Sequence, residues 1–215
     1  MPFDFLKRWR APAKPVESTD APTIAPGDGM PFDGLTEEWR LAGRMLIAGR
    51  LSDALNKREP IEIVDVRWAP VDGSQPFAPA SGLKSIDPYD LVLVFADQDS
   101  LPDMNDAERN AHKVHKVSYE VALEVPPYRV IGTVQLYPGS EPESLLSRSS
   151  EMFVPILEAT GMLGTRQVGS SSPTTILVNR QYLRGVEQVD ARTGERYTKL
   201  PGQSMGGTNW TDRAR

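Results

Sequence analysis

The chain has 215 residues, a formal net charge of −5 and no cysteine. The absence of cysteine excludes disulfide scaffolds, thiol chemistry and Cys-based metal sites. Charge is uneven: residues 1–14 and residues 192–215 each carry a net +3, which leaves −11 for residues 15–191. An acidic body with two short basic ends does not favour binding of duplex nucleic acid, which needs a basic face on a folded domain.

The first ten residues, "MPFDFLKRWR", mix acidic and basic side chains where a signal peptide would have a continuous apolar region. No stretch approaches the ~20 apolar residues of a membrane-spanning helix. These features predict a cytoplasmic protein, in which peripheral contact with a membrane stays open. Residues 11–29 contain four prolines and almost no large apolar residue, which predicts a disordered, extended linker.

The N-terminal segment, residues 1–10, places large apolar side chains beyond that linker, where they are costly in water unless they dock. It also echoes "MPFDGLTEEWR" at residues 30–40. The functional interpretation is a short motif that binds a protein partner or an anionic membrane surface. The alternative is coincidence, or pairing with the chain's own domain. The candidate partner-binding residues are Phe3, Phe5, Leu6, Lys7, Arg8, Trp9 and Arg10.

Strand patterns dominate the middle of the chain. From Val117 to Val125 apolar residues occupy alternate positions, as in a half-buried strand. "LVLVF" (91–95) and "TILV" (175–178) are apolar on both faces and predict central core strands. Residues 69–90 are rich in Pro, Gly and Ser and predict a long loop, and residues 191–215 predict a flexible tail.

A weak internal repeat sets residues 40–56 beside residues 129–146. Each copy continues into an apolar segment and then a second core strand, "DLVLVF" or "TTILVN". The predicted fold is therefore mainly β (α+β), with two tandem related small units that each contain a short helix. The predicted boundaries are 1–34 for the N-terminal segment and linker, 35–110 and 111–190 for the units, and 191–215 for the tail.

The stretch "GRLSDALN" (49–56) looks like a site, but the repeat favours a strand-to-helix corner. Gly49 aligns with Gly139, where glycine lets a strand turn abruptly into a helix. Asp53 falls in the first helical turn, where a carboxylate meets unpaired N–H groups. In the second copy Ser140 and Glu143 match a capping box.

This corner and the later "ILVNRQYLRGVEQVD" (176–190) resemble a bacterial domain family of unknown function. Members of that family repeat a G-R-L-(S/T)-D-x-L-N corner and an L-V-N-R strand end. The resemblance covers residues 36–190; the first copy lacks the L-V-N-R end, and the second copy has a degenerate corner. It implies domain limits and transfers no activity, ligand or catalytic residue.

Candidate chemistry is sparse. His112 and His115 would suit zinc if helical, but the strand that begins nearby points them to opposite faces, which favours exposed histidines without a metal. Neither a nucleophile elbow nor a phosphate-binding glycine loop occurs. We therefore expect no enzyme, no metal and no cofactor, and favour a scaffold or interaction protein with a tethered docking motif. The alternative is a sensor that binds a small ligand or anion between the two units, through Arg180 and Arg184.

Overall fold

The structure is a computed structural model that describes residues 29–96, 116–147, 151–169 and 174–189. Within these ranges the chain forms a 12-stranded, antiparallel sheet. Its order is β12-β7-β8-β9-β11-β6-β1-β2-β3-β4, with β10 paired to β9 and β5 paired to β3. The prediction of a mainly β fold is confirmed.

The first half of the sheet comes from residues 29–96. Its elements are β1 (Met30–Leu35), β2 (Trp39–Met45), helix α1 (Leu51–Asn56), β3 (Ile61–Pro70), β4 (Ala78–Pro79), β5 (Ser85–Ile86), the 3₁₀ helix η1 (Pro88–Asp90) and β6 (Leu93–Ala96). Two expectations are wrong here. The first strand of the described residues begins at Met30, before the predicted start at Leu35, and the predicted loop 69–90 contains β4, β5 and η1. Pairing with β3 creates the short strands β4 and β5, and composition does not show it.

The second half comes from residues 116–189. Its elements are β7 (Val117–Val125), β8 (Tyr128–Leu136), the 3₁₀ helix η2 (Pro142–Leu146), β9 (Phe153–Leu163), β10 (Arg166–Val168), β11 (Thr174–Asn179) and β12 (Gly185–Gln188). The alternating face predicted for β7 is confirmed, because Tyr119, Val121, Leu123 and Val125 are buried while Glu120 and Glu124 are exposed.

Both halves pair their strands in the same order. In the first half β1 and β2 form a hairpin, β2 pairs β3, β4 and β5 pair different parts of β3, and β6 returns to β1. In the second half β7 and β8 form a hairpin, β8 pairs β9, β10 and β11 pair different parts of β9, and β12 returns to β7. β6 thus occupies the place of β12, and β5 that of β11.

The turns before β6 and β12 support this correspondence. Asp87 Oδ1 accepts a hydrogen bond from the Tyr89 N–H at 3.0 Å, and Asn179 Oδ1 accepts one from the Gln181 N–H at 3.0 Å. Such Asx turns end a strand because the side chain takes an N–H group that would otherwise continue it. The sequence pattern set "DLVLVF" beside "TTILVN", but these segments contain β6 and β11, which hold different places in their halves. The strand that matches β6 is β12.

The corners partly match expectation. Gly49 and Gly139 have φ of +87° and +86°, and a Cβ at either position would meet nothing within 4 Å, so backbone conformation alone favours glycine there. Asp53 lies in the first turn of α1, as predicted. The capping box is wrong: η2 begins after Glu141 with no side-chain cap, because Pro142 starts a short 3₁₀ helix instead of an α-helix.

Each half also carries a β-bulge at the same point. The register of β2 against β3 shifts at Gly43, and that of β8 against β9 shifts at Gly132. Opposite these glycines, Asp65 and Glu158 have φ of +53° and +48°. A bulge bends its strand, and the missing Cβ of glycine leaves room for the partner backbone to approach.

We expect Gly132→Ala to lower the free energy of unfolding by about 2 kcal/mol, as overpacking does. A Cβ at this position would lie 2.8 Å from the Cα of Ala159 and from the Leu157 carbonyl oxygen, neither of which can move independently of the backbone. Chemical denaturation measures the loss. Gly139→Ala is the control, since its cost of about 1 kcal/mol is conformational only. Equal losses in both variants would contradict the steric explanation.

Candidate functional site at the junction of the two halves

The two halves meet where β6 pairs antiparallel with β11, from Leu93 opposite Val178 to Ala96 opposite Thr175. The main chain continues this ladder, because the Asn179 N–H donates to the Val92 carbonyl oxygen at 3.0 Å. Two apolar clusters flank the pairing, and each contains residues of both halves. The junction is therefore a continuous part of the core.

Asn179, the third residue of "LVNR", is fully buried at this junction. Its Nδ2 donates to the Leu91 carbonyl oxygen at 2.7 Å and to the Pro88 carbonyl oxygen at 3.4 Å. A buried amide with both ends bonded stabilises a contact and fixes its register, since leaving any of these groups unpaired is costly. Asn179 thereby ties the end of β11 to the turn before β6.

Asn56, the last residue of "GRLSDALN", makes the corresponding link from the other side. Its Oδ1 accepts a hydrogen bond from the Phe153 N–H at 2.8 Å, and its Nδ2 donates to the Phe153 carbonyl oxygen at 3.2 Å. Side chain and backbone thus pair as two strand residues would. The opening corner of the first half therefore holds the start of β9 in the second half.

Two tyrosines add further polar links between the halves. The Tyr128 hydroxyl donates to the Thr36 carbonyl oxygen, and the Tyr182 hydroxyl donates to the Tyr89 carbonyl oxygen at 3.1 Å. Burial, with a smaller contribution from the Glu37 carboxylate, raises the pKa of both phenols. Both groups therefore remain protonated donors at neutral pH.

Arg180, the candidate anion-binding residue, is buried with its guanidinium directed at backbone carbonyl oxygens. It donates to Leu145 at 2.8 Å, to Ser144 at 3.0 Å, to Glu151 at 3.4 Å and to Ser147. Burial lowers its pKa, and the Glu151 carboxylate acts against that shift. These contacts close the end of η2, where carbonyl groups lack helical partners.

Arg184 is exposed, and its guanidinium donates to the Gln181 carbonyl oxygen at 3.1 Å. The two arginines of the predicted anion site thus differ: one holds η2, and the other caps a turn at the surface. The remaining sequence-predicted site residues, Phe3 to Arg10 in the N-terminal segment together with His112 and His115, lie outside the described residues.

The described ranges contain no group of three His, Asp or Glu side chains that could hold a metal ion. Among the helices of the same ranges, none has the length and apolar character to cross a membrane. Comparison with known protein families, with curated proteins and with solved structures gives no match.

Sequence pattern did not identify Asn56 of "GRLSDALN" and Asn179 of "LVNR" as the side chains that link the two halves. A usable signal existed, since each lies at the end of an apolar run: "ALN" ends α1 and "ILVN" ends β11. A polar amide at that position is typical of a side chain that bonds free main-chain groups beyond the element. The partner of each asparagine lies about 90 residues away, as the separations of 97 and 88 show, and cannot be read from local sequence.

Proposed function

We propose that this chain is a non-enzymatic interaction protein, in which a rigid double β-unit carries a tethered docking segment at its N-terminus. One observation carries the proposal. The residues of the two motifs that look most like chemistry, Asn56, Asn179 and Arg180, bond to main-chain groups that hold the halves and η2 together. Because the polar groups of these side chains are bonded to the main chain, this arrangement favours a structural role in an interaction protein over a catalytic one.

We also propose that the two halves are related tandem units, and that the chain belongs to the bacterial family whose motifs it resembles. Support comes from the shared pairing order, from the bulges at Gly43 and Gly132, and from the Asx turns at Asp87 and Asn179. Asp87 takes the place of the missing L-V-N-R asparagine in the first half. A cytoplasmic location fits a protein of this kind.

The docking segment is residues 1–10. Phe5 and Trp9 are four residues apart, the spacing that places two side chains on one helix face, while Lys7 and Arg8 supply positive charge. Residues 11–29 would give a flexible coil an r.m.s. reach of roughly 25 Å. Residues 1–4 repeat the sequence of Met30 to Asp33 in β1, but the docking segment does not fit the place of β1 in the sheet. Phe5 stands in place of Gly34, where even a Cβ would lie 2.9 Å from the Leu91 side chain.

We expect deletion of residues 1–10 to abolish association with the protein partner or with anionic vesicles while the melting temperature stays unchanged. The physical reason is that the apolar anchors bind a surface outside their own domain. Affinity purification and vesicle flotation with the full chain and the deletion measure association, and calorimetry measures melting.

Two matched variants separate the partner classes. Lys7→Gln with Arg8→Gln should reduce vesicle binding most, because attraction to anionic lipid is electrostatic. Phe5→Ala with Trp9→Ala should reduce binding to a protein or a membrane alike. If deletion of residues 1–10 lowers the melting temperature and leaves association intact, the segment packs on its own domain and the docking function is wrong.

A further inference from the structure

Pairing between the halves uses one edge of β6 and one edge of β11. The strands in the matching places, β12 and β5, each pair with one strand within the described ranges, β7 and β3 respectively. The first half therefore presents a β11-like edge, and the second half presents a β6-like edge. We propose that β12 of one molecule pairs with β5 of a second copy of this chain, in the register of the internal β6–β11 junction.

The register follows from the shared hydrogen bonds. Val92 N–H donates to the Leu35 carbonyl oxygen, and Arg184 N–H donates to the Glu124 carbonyl oxygen in the same place, so Arg184 stands where Val92 does. Asp87 likewise stands where Asn179 does. Counting along both strands gives the pairs between molecules: Ile86 opposite Gly185, Ser85 opposite Val186, and Lys84 opposite Glu187.

Backbone groups point in the directions that this register needs. The Lys84 carbonyl oxygen accepts a hydrogen bond from the Ile63 N–H on β3, so the next residue, Ser85, directs its N–H and carbonyl groups away from β3. The Val189 N–H donates to the Glu120 carbonyl oxygen on β7. Backbone groups alternate in direction along a strand, so those of Val186, three residues earlier, point away from β7. Ser85 and Val186 are therefore the pair that would exchange two hydrogen bonds.

Charges across the proposed contact are complementary. Lys84 is exposed and lies opposite Glu187, at the place where the internal junction pairs Ile176 with Phe95. Asp87 and Arg184, two positions beyond Ser85 and Val186 in this register, are also of opposite charge. Charged edge residues prevent indiscriminate strand addition, so an edge with Lys84 and Asp87 admits a partner strand of opposite charge pattern.

An exposed apolar residue lies beside this contact. Leu146 is 43% exposed at the end of η2, the place that Asn56 takes at the end of α1. Asn56 reaches Phe153 at the start of β9, and the matching residue before β3 is the exposed Pro60. Leu146 of one molecule would therefore contact Pro60 of the second copy, and this apolar contact would replace the polar contact of the internal junction.

The contact is head-to-tail, because β12 meets β5 and leaves one β5 and one β12 open in each pair, so it generates rings or filaments. The proposed contact between molecules lacks one set of hydrogen bonds that the internal junction has, at the position of Asp87. Asn179 donates to two carbonyl oxygens, whereas the Asp87 carboxylate cannot donate. The pairing rests on the proposed relation between the two halves and is independent of the docking segment.

The test uses sedimentation velocity of the full chain over a concentration series. We expect concentration-dependent association that weakens about tenfold in Lys84→Glu and in Glu187→Lys, because each places like charges opposite each other. A mixture of the two variants, or the doubly reversed chain, should regain association. Lys116→Glu, the same reversal at an exposed position outside β5 and β12, should associate like the wild type.

Circular dichroism confirms folding of each variant. If Glu187→Lys fails to fold, Ser85→Pro provides the second test, since it removes an N–H that faces away from β3. A chain that stays monomeric up to its solubility limit overturns the proposal, as does association that the charge reversals leave unchanged. Association lost on deletion of residues 1–10 but unaffected by Lys84→Glu would identify the N-terminal segment as the occupant and also overturn it.

Discussion

Replacement of Arg180 by methionine will lower the free energy of unfolding by about 3 kcal/mol, because hydrogen bonds from a charged donor are lost at buried carbonyl groups. Methionine keeps an unbranched apolar stem of similar length, so packing changes little. The loss falls on the carbonyl oxygens of Ser144, Leu145 and Ser147, which close η2. Denaturant unfolding, with the slope checked for change, measures this difference.

Arg184→Met is the matched control. Arg184 is exposed and donates to one carbonyl oxygen, that of Gln181, so its replacement should change stability by less than about 0.5 kcal/mol. A ligand role for Arg180 predicts the opposite pattern. Under that role Arg180→Met would unfold like the wild type and would lose anion binding in calorimetric titration.

Asn179→Ala will cost about 3 kcal/mol as well, since it leaves the carbonyl oxygens of Leu91 and Pro88 and the Gln181 N–H without their partner at a fully buried site. The variant should also loosen the junction specifically. Amide exchange should rise at β6 and β11 before it rises at the hairpin β7–β8, which lies away from this contact.

Asp87→Ala provides the comparison in the first half. Asp87 is exposed and accepts the Tyr89 N–H, so its loss should cost below about 1 kcal/mol. Equal losses at Asn179 and Asp87 would show that the Asx turn, and not the amide's link across the junction, determines the stability of this region.

Local pattern predicted the strands whose burial alternates or is complete. β7 matches its predicted limits, Val117 and Val125, because a period of two directly reports one buried and one exposed face. Glycine was equally readable at Gly49 and Gly139, where positive φ selects it. The short strands β4 and β5 were not predicted, because two residues are too few to show an alternating pattern of apolar side chains. Their extended conformation comes from pairing with β3.

At the candidate site, too, local pattern was readable from the sequence and long-range contacts were not. The sequence by itself determined that this chain is mainly β and that glycine allows an abrupt turn at Gly49 and Gly139. Only the tertiary structure decided which groups Arg180, Asn56 and Asn179 bond and which strands pair within the described residues. The physical reason is range: strand patterns and glycine conformations are set by neighbours within a few residues, whereas the partners of Asn56 and Asn179 come from distant segments that meet only when β6 pairs with β11.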